Sequence, residues 1–215
     1  MTVLDYVKER KIVAIVRGLA PEYMVRLGHA LEEGGIGLME VTYNQRAPET
    51  WTDTAKAIEA VGKEFGDRLL VGAGTVIRPE QVSLTYNAGG RYLVTPTTQP
   101  EIIHVGKALG LGLFPGAFTA TEILAAYEAG ADAVKVFPVS TVGPGYIKAI
   151  RGPLSHIPLM AVGGVNEKNA ADFMRAGCVG LGVGGNLVNK EWIQNGEWGK
   201  ITALAREFME AVKEA

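Results

Sequence analysis

The stretch ADAVKVFP at 131–138 sets Lys135 between Val134 and Val136, in what reads as a short apolar strand. Burying an unpaired charge is costly, and a lysine in such a place tends to give up its proton. The neutral amine is a nucleophile toward ketones, so this position offers Schiff-base chemistry. The structural alternative buries only the stem and lets the ammonium reach water. A second ionisable group, Glu40, lies within GLMEVTYN at 37–44. It suits either a general acid/base titrating as a pair with the lysine or a structural ion pair with Lys or Arg. Arg17 closes the run IVAIVRG, and its rigid fork fits a carboxylate, whether a ligand's or that of Glu40. Thr75, in GAGTV, offers a hydroxyl donor or a cap for the helix near Pro79.

Two further segments end in glycines, VGGVN at 162–166 and GVGGN at 182–186. Backbone N–H groups in such turns can approach a phosphate closely, with Asn166 or Asn186 capping the helix that follows. They are equally compatible with ordinary strand-to-helix turns. Metal chemistry finds little support, because His29, His104 and His156 are scattered without ligand spacing. Cys178, the only cysteine, reads as a small buried apolar residue, and Trp192 and Trp198 read as packing or interface residues.

The elements that must position these groups repeat along the chain. Short apolar runs fall at 12–18, 37–44, 69–76, 92–98, 111–118, 133–139, 159–165 and 180–186, each closed by Gly, Pro, Thr or Asn. Between them lie segments such as PEYMVRLGHALEEGG and TATEILAAYEAGA, apolar at every third or fourth residue, as in a helix facing a sheet. Pro21, Pro79 and Pro100 stand where a first helical turn accepts proline. About eight such units at roughly 20–25-residue intervals match a (β/α)8 barrel preceded by an N-terminal helix capped by Thr2. A doubly wound sheet fits less well, since GAGTV followed by Ile77 does not complete a dinucleotide loop. The expectation is one barrel domain over 1–215. In a barrel the strand carboxyl ends carry the chemistry, and period-2 alternation puts Ala133, Lys135 and Phe137 on one face and Leu38, Glu40 and Thr42 on another.

The totals suit one large α/β domain or two small ones, with ample apolar material for a core. In 215 residues, 47% are hydrophobic, 20% are charged and the formal net charge is −2, which gives no electrostatic footprint for nucleic acid or an anionic membrane surface. A single cysteine excludes an intrachain disulfide and suits a reducing compartment. With no signal-peptide pattern and no run long enough to span a bilayer, a cytoplasmic location is expected.

In order and at similar intervals, IVAIVRG, MEVTYN, VGAGTV, LVTPT, FPGAFTATE, VKVFPVSTVGPGYIKAI, AVGGV and GVGGNLV resemble the 2-keto-3-deoxy-6-phosphogluconate/4-hydroxy-2-oxoglutarate (KDPG/KHG) aldolases. The resemblance runs nearly end to end. It implies a (β/α)8 barrel that forms a homotrimer, needs no metal or cofactor, and acts on a small keto acid by class I chemistry. By the same resemblance Lys135 is the Schiff-base lysine and Glu40 the acid/base. Arg17 and Thr75 hold the keto acid, Pro96 and Phe137 are apolar walls, and Gly163, Gly164, Gly184 and Gly185 form the phosphate loops. Phosphogluconate enzymes often carry arginine four residues after the glutamate, serine in the last glycine loop and threonine before the first; here those positions hold Asn44, Gly185 and Val162. Val162, together with RGLAPE and GTVIRPEQV, looks closer to the phosphogalactonate branch. Two other readings remain to be separated from this one: a phosphate-binding barrel isomerase or epimerase without a covalent intermediate, and a non-catalytic trimeric barrel.

Overall fold

The fold is taken from a computed structural model that describes residues 1–213 and 215. Its nine parallel strands are β1 (Ile12–Val16), β2 (Leu38–Thr42), β3 (Leu70–Gly74), β4 (Tyr92–Val94), β5 (Gly112–Phe114), β6 (Gly116–Ala117), β7 (Val134–Val136), β8 (Leu159–Val162) and β9 (Gly180–Val183). The helices are α1 (Val3–Arg10), α2 (Met24–Glu33), α3 (Trp51–Phe65), α4 (Pro79–Asn87), α5 (Pro100–Ala108), α6 (Ala120–Glu128), α7 (Gly143–Arg151), α8 (Ala170–Arg175), α9 (Lys190–Gln194) and α10 (Trp198–Lys213). The strands are ordered β5-β4-β3-β2-β1-β9-β8-β7-β6. The two ends of that order, β5 and β6, are halves of one run interrupted by Pro115, so the sheet closes on itself. This is the (β/α)8 barrel the spacing predicts, with one difference. The apolar run 111–118 is not a continuous strand, because a proline has no N–H to contribute to a ladder. The Pro115 carbonyl still accepts from the Lys135 N–H at 2.9 Å, and Phe114 O from the Thr95 N–H at 3.3 Å.

Alternation along the strands sorts side chains into two cores. Met39, Val41, Val134 and Val136 face outward and pack with helix residues such as Leu27, Leu31, Ile58 and Val61. Val13, Leu38, Leu70, Tyr92, Phe114, Ala133 and Met160 face inward and fill the lower barrel. Helix α1 closes that end: the Thr2 side chain accepts from the Asp5 N–H, the Asp5 carboxylate accepts from the Thr2 N–H, and fully buried Val7 joins the inner core. Pro79 and Pro100 open α4 and α5, whereas Pro21 opens a short 3-10 turn just before α2. The run 133–139 is strand only to Val136, so Phe137 stands just above β7 rather than within it, 39% exposed at the rim.

Candidate active site

Lys135 and Glu40 rise from the inner face two residues above Ala133 and Leu38. Strand order sets them opposite each other. β2 and β7 are separated by β1, β9 and β8 one way round and by β3, β4 and the β5–β6 run the other way. Both side chains are buried, with Lys135 7% and Glu40 2% exposed. Among the described residues neither forms an ion pair within 4.0 Å, so the structural ion pair considered for Glu40 does not form. Their electrostatics are nevertheless coupled. Burial holds the Lys135 ammonium below the ordinary lysine range, Glu40 opposes that shift, and Arg17 adds to it. Burial pushes the Glu40 carboxyl up, while Lys135 and Arg17 pull it partly back. The lysine is thereby biased toward a neutral amine and the glutamate toward a neutral acid.

The walls follow from neighbouring strands. The Lys135 ammonium lies 4.9 Å from the centroid of the Phe137 ring. Lys135 pairs in register with Gly116, and the Pro96 carbonyl lies so close to Gly116 that a side chain there would collide with it. The Phe137 ring thus lies over the lysine, while Pro96 approaches the neighbouring Gly116 through its backbone. Opposite, the Glu40 carboxyl occupies the space a Cβ on Gly74 would take, and the Tyr92 ring does the same at Gly72. The Tyr92 hydroxyl donates to Met39 O at 2.7 Å, and its own ionisation is pushed well up by burial and by Glu40. GAG at 72–74, incomplete as a dinucleotide motif, is therefore the gap that seats two large inward side chains. Sequence reading missed this, although the signal was present: both glycines fall in phase with Glu40 on adjoining strands.

Arg17, at the end of β1, donates through Nη2 to Thr75 Oγ1 at 3.2 Å. Thr75 does not cap α4, whose N-cap position is Arg78. A cavity of about 610 Å³ opens from this pair toward the loops after β1 and β2, lined by Leu19, Met24, Asn44 and Gln45 among others. Lys135 and Glu40 do not line it, so the cavity lies beside that pair rather than around it. Asn44 turns back into its own loop, its side-chain oxygen accepting from the Arg46 N–H at 3.0 Å.

The glycine loops lie side by side at the same barrel end. Gly163 and Gly164 take φ values of 88° and 93°, which a residue with a Cβ rarely adopts, and Gly163 packs beneath the Phe137 ring. Gly184 and Gly185 face open space. Asn186 is not a helix cap: its amide bridges to Val165 O at 2.8 Å and ties the two loops together, while Asn189 caps α9. Asn166 accepts from the Lys168 and Asn169 N–H groups in the turn before α8. Elsewhere, His29 pairs with Glu64 at 3.0 Å, His156 packs on Tyr127, and burial pushes the Cys178 thiol up to about 12. Among the described residues no group of three or more His, Cys, Asp or Glu converges as a metal site.

A closed parallel barrel with a buried lysine facing a buried glutamate has the parts of a Schiff-base enzyme. The sequence model of the KDPG and KHG aldolase family matches residues 3–204, and the chain belongs to that family. It is 37% identical over 203 residues to the 2-dehydro-3-deoxy-6-phosphogalactonate aldolase of Escherichia coli (strain K12), covering 94% of this chain and 96% of the relative. It is 29% identical over 212 residues to a 2-dehydro-3-deoxy-phosphogluconate aldolase of Haemophilus influenzae, covering 98% and 97%. Among solved structures, the KDPG aldolase of Legionella pneumophila with pyruvate captured as a covalent carbinolamine superposes with a TM-score of 0.85, at 28% identity and covering 96% and 97% of the two chains.

Proposed function

We propose that residues 1–215 act as one class I aldolase domain that cleaves a 2-keto-3-deoxy-6-phospho sugar acid to pyruvate and glyceraldehyde 3-phosphate. The phosphogalactonate acid is the first substrate to try. The observation that carries the reading is the buried Lys135 amine at the strand end, facing Glu40 across the barrel in a chain of this family. Substrate choice is supported by the higher identity to the phosphogalactonate relative and by Val162 and Asn44 in place of the threonine and arginine common in phosphogluconate enzymes. Cleavage of 4-hydroxy-2-oxoglutarate to pyruvate and glyoxylate is the secondary activity that the same steps allow.

The neutral Lys135 Nζ attacks the C2 ketone, and Glu40 supplies the proton with which the carbinolamine loses water to an iminium. Glu40, now ionised, removes the C4 hydroxyl proton. The C3–C4 bond breaks, its electrons flow into the iminium, and the aldehyde leaves. The remaining enamine is protonated at C3, and water releases pyruvate and the free amine. Arg17 and Thr75 hold the C1 carboxylate, Phe137 and Pro96 shield the iminium from water, and Gly163, Gly164, Gly184 and Gly185 offer backbone N–H groups to the phosphate. The protein works as a homotrimer in the cytoplasm. No helix among the described residues is long and apolar enough to cross a membrane.

The test is incubation with pyruvate and sodium borohydride, followed by intact mass and peptide mapping. A reduced pyruvate adduct confined to Lys135, absent from Lys135→Met, is expected. An adduct on another lysine, or none in folded protein beside a working aldolase control, sinks the proposal. The isomerase reading predicts no adduct. Comparing kcat/KM for the phosphogalactonate, phosphogluconate and hydroxyoxoglutarate substrates tests the substrate assignment, and native mass tests the trimer.

A further inference from the structure

Thr75 has a backbone φ of 56°, in the left-handed region that a β-branched residue rarely enters. Such a conformation persists only where its surroundings hold it, and it is found disproportionately at functional sites. The group that holds it is visible. Gln45, on the loop after β2, donates through Nε2 to Thr75 O at 2.6 Å. Behind it stands Gln81 of α4, fully buried, whose amide donates to Gln45 Oε1 at 3.1 Å. The direction of this chain is set at its far end. Gln81 Oε1 accepts from the Ile77 and Arg78 N–H groups at 2.8 and 3.1 Å, so its amide nitrogen must face Gln45. Gln45 is then left with its own nitrogen toward the Thr75 carbonyl. Thr75 Oγ1 in turn accepts from Arg17.

A helix cap accounts for only part of this. Gln81 sits at the third position of α4 and reaches back to the Arg78 N–H as a capping residue does. Capping does not require Gln45, nor does it require a threonine held with positive φ beneath an arginine. We infer that Gln45, backed by Gln81, is a positioning residue for substrate binding. It clamps Thr75 in its left-handed turn, so that the Thr75 hydroxyl holds the Arg17 guanidinium in line with the keto-acid carboxylate. The inference rests on the reading of Arg17 and Thr75 as the carboxylate grip. It names a specificity element outside the barrel interior, on the loop that also carries Asn44.

The test uses pyruvate as the probe, with borohydride trapping at Lys135 as the readout. Gln45 is itself partly exposed, but Gln45→Met leaves the buried Gln81 amide without its acceptor, so Gln45→Glu, which keeps that acceptor, is the paired variant that separates loss of the clamp from loss of stability. Gln45→Met keeps the length and removes both hydrogen bonds; Gln45→Glu keeps the acceptor and loses only the donor to Thr75 O. Both should raise the half-saturating pyruvate concentration roughly tenfold, while the trapping rate at saturation changes less than about twofold. In an Arg17→Met background, already weak for pyruvate, Gln45→Met should add little, because the two act through one grip. Unchanged pyruvate saturation in Gln45→Met, with or without a lower Tm, overturns the inference and leaves a structural contact. A full tenfold effect persisting in the Arg17→Met background overturns it as well. If Arg17→Met itself leaves pyruvate saturation unchanged, both the grip and the inference fall. Absence of trapping in the wild type removes the aldolase reading itself.

Discussion

The two ends of the barrel interior are built from the same strands and differ by two residues. Leu38 and Ala133 belong to an apolar floor sealed by Val7 and Met160; Glu40 and Lys135, one pleat higher on the same faces, are the ionisable pair. The floor is close-packed, and the Tyr92 hydroxyl within it is satisfied by the Met39 carbonyl. The upper layer buries two charge-bearing groups without an ion pair, an arrangement that works against stability. The contrast teaches where each kind of free energy resides: the lower layer stabilises the fold, and the upper layer gives up some of that stability at the two groups to which the proposed mechanism assigns the chemistry.

The sharpest way to break the contrast is at Glu40. Glu40→Gln keeps the shape and removes proton transfer, so kcat for cleavage should fall by about 10²–10⁴-fold. The pH profile of pyruvate capture gives an independent check with a defined sign. Burial lowers the Lys135 pKa and the Glu40 charge pulls it partly back up. Deleting that charge leaves the ammonium less stabilised, so the amine becomes neutral at lower pH. The pH at which capture reaches half its maximal rate should therefore move down in Glu40→Gln; an unchanged value would show that Glu40 is not coupled to the lysine, and a move upward that the coupling has the opposite sign.

The glycine pair in GAG sharpens the comparison further. The three atoms nearest a methyl group at Gly74 all belong to the flexible Glu40 side chain, whereas at Gly72 they belong to the Tyr92 ring and the backbone of β4. Gly74→Ala should displace the carboxylate and lower kcat by about a hundredfold, while leaving Tm nearly unchanged. Gly72→Ala should show the reverse, costing about 1–3 kcal/mol of stability through strain against β4. Equal losses of activity in the two variants, with no difference in Tm, would mean that the layers are not separable as drawn.

The strand rhythm and the inward face of Lys135 and Glu40 were legible in the sequence because both depend on local period-2 alternation. The break at Pro115 was legible in principle but was overridden by the apolar run around it. The opposition of Glu40 and Lys135 across the barrel was not legible from spacing, since it depends on closure through the β5–β6 run. The role of Gly74 needed only the pairing of β2 with β3, whereas those of Gln45 and Asn186 were hidden because each acts on a residue from another loop, and only the folded chain shows which residue that is. Helix caps show a milder form of the problem, with Asn189 rather than Asn186 holding α9, because a cap is chosen by backbone geometry among several nearby asparagines.

The smallest effect should come from the floor itself. Val7 is fully buried, and it packs so closely on Gly180 of β9 that the glycine leaves no room for a side chain. Val7→Ala removes two buried carbons and leaves a partial cavity, a loss of about 2 kcal/mol. For a chain of this length that is a Tm lowered by roughly 5 °C. The Glu40 and Lys135 side chains stand a layer above and should not feel it, so kcat/KM should stay within about twofold at 25 °C. If kcat/KM falls tenfold instead, the inner core is transmitting the floor's relaxation to the reacting groups, and the division of labour between the two ends of the barrel fails where its packing argument is strongest.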